Sequence, residues 1–114
     1  MDALKLALER AFLLRLVQFL RNQFPDAVTA PQKELEAGVE RQIKQARGHG
    51  FLAEQDIATY VTSAWLLGEE FDREFPAVAE VLESISPVDE KANWLEQFTE
   101  TIFRELEKDR KSVV

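Results

Sequence analysis

An all-α fold, a compact bundle of four to five helices, is predicted by three observations. Apolar residues recur at three- and four-residue steps in successive segments. Proline or glycine punctuates the segment boundaries. Nowhere does apolar/polar alternation persist with β-branched enrichment, so no strand is expected. The chain has 114 residues, the length of one domain. With 46% hydrophobic and 31% charged residues, it has material for both a core and a solvated exterior. One helical domain is expected over 1–114, with 109–114 as a frayed tail.

The first helix is expected from Asp2 to Phe24, with Asp2 as its N-cap. At 100° per residue, Leu8, Phe12, Leu13, Leu16, Val17, Phe19, Leu20 and Phe24 share one broad face. Arg10, Arg15, Gln18, Arg21 and Asn22 lie on the other. Leu4, Ala7, Ala11 and Leu14 break this division with a +3, +4, +3 stripe of their own. A helix apolar on two sides is either central in its own bundle or shared with a partner. Pattern alone leaves both alternatives open, and the small Ala7 and Ala11 would permit close helix approach.

Phe24-Pro25-Asp26 stops this helix, because proline disfavours helical geometry in the residue before it. Thr29-Ala30-Pro31 opens the second, which carries one stripe, Leu35, Val39, Ile43 and Ala46, and is expected to be peripheral. Gly48 is expected as its C-cap. The third runs from about Ala53 to Leu67, with Ile57, Tyr60, Val61, Ala64, Trp65 and Leu67 apolar and Gly68 as C-cap. Pro76 restarts the chain into a short fourth helix carrying Val78, Val81, Leu82 and Ile85. Ser86-Pro87-Val88-Asp89 reads as a cap with proline at the first helical position. The fifth then extends to about Lys108 on a Leu95, Phe98, Ile102 and Leu106 stripe, flanked by Trp94 and Phe103.

Composition narrows the chemistry. There is no cysteine, which excludes disulfides, thiol catalysis and thiolate metal sites. The single histidine, His49, excludes a multi-histidine metal centre. Its Gly48-His49-Gly50 setting is that of a flexible corner, where a donor at a helix C-terminus is favourable without any catalytic role. Glu69, Glu70, Asp72 and Glu74 invite a calcium reading, but the stretch lacks an EF-hand register. It reads better as a solvated helical turn or corner pinned by Phe71 and Phe75. No Gly-rich phosphate loop follows a strand, and no Glu-x-x-His pair exists for a di-iron bundle. Neither catalytic nor cofactor-binding nor metal-binding residues are expected, and a non-enzymatic role follows.

Charge is unevenly spread. Residues 1–50 carry eight Lys or Arg and six Asp or Glu, a net of +2; residues 51–114 carry six and fifteen, a net of −9. Arg10, Arg15 and Arg21 are the only candidates for the basic track that a nucleic-acid binder needs, so no nucleic-acid partner is expected. An acidic half suits a protein partner with a basic surface, or simply solubility. The longest uncharged stretch is Ile57 to Gly68, 12 residues, against the roughly 20 that a spanning helix needs, so no membrane association is expected. The start of the chain lacks a cationic leader, and a cytoplasmic location is expected.

A more specific pattern runs through Gly50-Phe51-Leu52-Ala53-Glu54-Gln55-Asp56-Ile57, Tyr60-Val61, Leu67-Gly68, Phe71-Asp72 and Phe75-Pro76. Upstream, Leu16-Val17, Leu20-Arg21 and Phe24-Pro25 belong with it. This pattern, over about residues 10–80, resembles small helical bacterial proteins encoded beside effector and spike genes of type VI secretion systems. The resemblance implies an accessory role: effector co-chaperone, loading adaptor or immunity protein. It assigns no active residue, since Gly68 as a helix stop and Tyr60 as a buried aromatic explain the same positions by folding alone. The expected function is therefore protein binding, to an effector, an effector chaperone, a toxin or a second copy of the chain. Candidate interface residues are Leu4, Ala7, Ala11 and Leu14 on the first helix, and Glu69, Glu70, Asp72 and Glu74 in the acidic corner.

Overall fold

The computed structural model describes the backbone of residues 2–112 and the side chains of residues 2–108. Among the described residues there are seven helices and no strand. These are α1 (Ala3–Gln23), α2 (Pro25–Val28), α3 (Gln32–Gly48), α4 (Glu54–Leu67), α5 (Phe71–Glu74), α6 (Pro76–Glu83) and α7 (Val88–Ser112). The all-α class expected from periodicity is the one observed. The count exceeds the expected four to five because of α2 and α5, one turn each: α2 occupies a stretch that reads as a connection, and α5 is the helical turn that the sequence offers as one reading of the acidic corner. Contacts group the chain into two compact units, Met1–Gln45 and Ala46–Val114, where the sequence suggested one domain.

In the first unit, α1 begins as its residues dictate. Asp2 has extended backbone, and its Oδ1 accepts from the Leu4 N–H at 3.1 Å. The helix buries Phe12, Leu13, Leu16, Val17 and Leu20 along one face and ends at Phe24, extended ahead of Pro25. Leu8 and Phe19, assigned to that face by the helical wheel, are exposed instead. Both sit at its margin, where a 100° step no longer decides burial. Arg21 organises the α1–α3 connection. Its guanidinium donates to the carbonyls of Ala27 (3.0 Å), Val28 (2.8 Å) and Ala30 (3.1 Å), and to Gln32 Oε1 (2.9 Å). The Ala27 carbonyl also accepts from the Ala30 N–H at 3.4 Å, and the one cation gathers the three carbonyls of the turn. On α3, Leu35, Val39 and Ile43 are buried, as its single stripe predicts.

The second unit starts at the end of α3. Gly50, not Gly48, holds the left-handed position, with φ +91°. The Gly50 N–H donates to Arg47 O at 3.0 Å and the Phe51 N–H to Ala46 O at 3.0 Å, a Schellman termination. The pattern Gly-His-Gly offers two glycines for one such site, and the reversal falls on the second. Gly68 ends α4 at φ +118°, as expected. Pro87 sits one residue before α7, its carbonyl accepting from Glu90 and Lys91, and so caps the helix rather than opening it. Ile85 lies beyond α6 and is fully exposed. The α7 backbone is helical to Ser112, four residues past the expected end; the frayed tail expected over 109–114 lies partly outside the described residues.

Tyr60, Phe51 and Phe71, all fully buried, form the centre of this unit. Tyr60 meets Phe51 edge-on at 5.7 Å and Phe71 at 4.9 Å between ring centroids. Helices α4 and α7 are joined by a buried polar pair: the Thr99 hydroxyl donates to Ser63 Oγ at 2.8 Å, and Ser63 donates to Thr59 O at 3.0 Å. Trp94 stacks on Phe98 at 4.9 Å, and Phe98 meets Phe75 edge-on at 5.6 Å. Lys91 is buried and donates to Leu82 O at 2.9 Å, placing its charge at the negative end of α6.

Candidate protein-docking site

Both candidate surfaces can now be located. Residues 2–8 of α1 are exposed at every position. Five of these, Ala3, Leu4, Leu6, Ala7 and Leu8, are apolar and point to several sides of the helix. This segment stays helical without tertiary cover because Ala, Leu and Lys are strong helix formers and Asp2 supplies the cap. The stripe Leu4, Ala7, Ala11 and Leu14 is exposed along its whole length, Leu4 at 64% and Leu14 at 40%. Of the two alternatives left open by pattern, a central buried helix or a shared one, the stripe does not meet the first. With Leu8 at 61% and Phe19 at 43%, the exposed apolar area is wider than the stripe alone. Isolated exposed leucines are ordinary on any surface; here several lie together on one helix, which makes this face the candidate docking surface.

Arginines border this face. Arg10 reaches Glu36 at 2.7 Å while its side chain stays 57% exposed. Hydrogen bonding from Gln32, and then the Arg10 cation, hold the Glu36 carboxyl below its usual range. Arg15 lies over the Phe12 ring at 5.7 Å. Arg21 is engaged by four acceptors, so each of the three arginines is placed by its own contact.

In the acidic corner, the expected set divides. Glu69, Glu70 and Glu74 are exposed, and Glu70 pairs with Arg73 at 2.9 Å. Asp72 does not join them. Its side chain is only 12% exposed and its Oδ2 lies 3.2 Å from His49 Nε2. This ties the α3 terminus to α5 across 23 residues of sequence. The ring of His49 lies 5.7 Å from that of Tyr60. The Tyr60 hydroxyl is sealed from solvent with no hydrogen-bond partner among the described residues. Burial raises its pKa, and the nearby Asp72 carboxylate raises it further. By sequence His49 belongs to a flexible corner and Asp72 to a surface set of acids; nothing in the local pattern brings them together. A His–Asp pair supplies two of the three members of a nucleophilic triad, but no Ser or Thr hydroxyl is bonded to His49 among the described residues. Among those residues no three His, Asp or Glu side chains converge as a metal site would require. The pair links the end of α3 to α5.

No family model matches the chain, and neither a curated protein nor a solved structure matches it. Among the described residues, no helix is long and apolar enough to cross a membrane.

Proposed function

We propose that the chain is a non-enzymatic protein-binding accessory factor of the cytoplasm, a co-chaperone or adaptor for a type VI secretion effector or its loading protein. The observation that carries the binding role is the exposed leucine face of α1, with Leu4 at 64% and Leu14 at 40%. The secretion context rests on the sequence pattern over about residues 10–80. Co-expression with the neighbouring effector, followed by size-exclusion chromatography with light scattering, tests both. A stable complex that Leu14→Asp disperses, with helix content unchanged by circular dichroism, is expected. A monomer that retains no effector contradicts the reading, and global unfolding of Leu14→Asp makes Leu14 core.

A second reading, an immunity protein that neutralises a cognate toxin, is favoured by charge. The Ala46–Val114 unit carries seven Lys or Arg and fifteen Asp or Glu, a net of −8. Glu69, Glu70 and Glu74 present part of it outward. Such a surface steers capture of a basic cleft, and its affinity falls with salt. Co-expression separates the two: protected growth marks immunity, whereas unchanged toxicity with better effector solubility marks the adaptor.

A further inference from the structure

We infer that His49 and Asp72 form a proton-controlled clasp that holds α5 closed against the aromatic centre of the second unit. The clasp stands apart from the binding role of α1. His49 lies two residues before Phe51, and Asp72 one residue after Phe71. Phe51 and Phe71 are the two buried rings packed on Tyr60, at 5.7 and 4.9 Å between centroids. The 3.2 Å contact between His49 Nε2 and Asp72 Oδ2 therefore joins the two segments that carry those rings. The His49 ring is itself 5.7 Å from that of Tyr60, so the contact sits against the cluster.

Helix α5 is the element that such a contact can control. It is four residues long and has no side-chain N-cap, too short to be stable by itself. Gly68, at φ +118°, precedes it, and Phe75, with extended backbone, joins it to Pro76. Both are points where backbone rotation can be absorbed. Within the turn, Phe71 is buried and the Asp72 side chain is 12% exposed, whereas Arg73 and Glu74 face solvent. Opening the clasp would free the segment that carries the exposed Glu70 and Glu74.

His49 is the chain's single histidine, and imidazole is the side chain that changes charge between about pH 5 and 8. Protonated, it adds ionic attraction to the Asp72 carboxylate; neutral, it keeps at most the hydrogen bond. Closure is thus tightest near about pH 6 and weakens towards about pH 8. The neighbouring groups are of types that keep their charge over this range. From α4 comes Tyr60, whose phenol burial keeps protonated. On α5, Arg73 and Glu74 follow Asp72, and on α3, Arg47 precedes His49 by two residues. Asp89 and Glu90 follow Val88, where α7 begins beside Gly50.

Amide hydrogen exchange of the full chain, read by NMR and corrected for the intrinsic rate at each pH, tests the clasp. The reporters are the Arg73 and Glu74 amides, each donating to Glu70 O at 2.9 Å, and the Phe75 amide, donating to Phe71 O at 3.2 Å. Their protection is expected to fall about threefold to fivefold between about pH 6 and about pH 8, the upper range of an incompletely buried ion pair. The amides of α4 and the first half of α7 are expected to hold constant. In His49→Gln and Asp72→Asn, which keep a hydrogen-bonding group without the charge, protection of α5 is expected to be independent of pH. Protection in the parent that does not change with pH overturns the clasp and leaves the pair a fixed link. So does a pH dependence that persists in His49→Gln. A fall shared equally by α4 and α7 also overturns it, because the loosening is then global. The parent's own profile is decisive even if a variant fails to fold.

Discussion

Leu95 on α7 and Leu4 on α1 are the same side chain on two amphipathic helices, yet Leu95 is 1% exposed and Leu4 64%. The first half of the α7 stripe is covered by its own unit, where Thr99 bonds to Ser63 of α4 and Phe98 meets Phe75 edge-on. The first turns of α1 have no comparable cover and are held by local means, the Asp2 cap and strong helix formers. The difference separates apolar residues that build the fold from apolar residues that the fold leaves available. Periodicity gives both the same signature; only burial tells them apart.

The contrast can be broken most sharply in the second unit. Leu95→Ala removes buried methyl groups and leaves a cavity, so chemical denaturation is expected to show a loss of about 2–5 kcal/mol. A loss below about 1 kcal/mol would mean that α7 is not the closed face of this unit. Gly50→Ala tests the α3 terminus. The added methyl meets Val88 Cγ2 at an ordinary 3.6 Å, so space is not the obstacle. The cost arises from φ +91° and is expected to be about 1–2 kcal/mol.

Tyr60→Phe sharpens the comparison from the other side. It deletes a buried hydroxyl that has no partner at hydrogen-bonding distance but lies near the Asp72 carboxylate, so stability at neutral pH is expected to change by no more than about 1 kcal/mol. Its larger effect is at alkaline pH. The folded phenol keeps its proton above the ordinary tyrosine value of 10.0, where the unfolded chain loses it. Above that pH the folded state binds more protons, and stability falls as pH rises. In Tyr60→Phe this contribution vanishes, and the alkaline unfolding midpoint moves to higher pH. An unchanged midpoint would mean that the phenol reaches solvent.

Much of the fold was legible because five of the helices repeat their apolar positions over eight or more residues. Helix α2 was not, and α5 was legible only as a helical turn or corner pinned by Phe71 and Phe75, since one turn is shorter than the period that would decide it. Proline and glycine marked ends well, but Gly48 and Gly50 are two residues apart and pattern could not choose between them. Of the candidate site, the Leu4, Ala7, Ala11 and Leu14 stripe was legible as spacing, while its exposure was not. Asp72 was misplaced for a related reason. Four acids in six residues look like one surface, yet α5 turns Asp72 toward His49. Sequence neighbours on a helical turn diverge by 100°, and nothing local announces a partner 23 residues away.

The smallest expected effect is the most informative. Urea denaturation of Leu4→Asp and Leu14→Asp, each as the isolated chain, reads whether the α1 face belongs to the fold. A shift within about 0.5 kcal/mol of the parent is predicted, the range of surface substitutions. A loss of about 2 kcal/mol or more, typical of a charge forced into a core, would contradict the docking face.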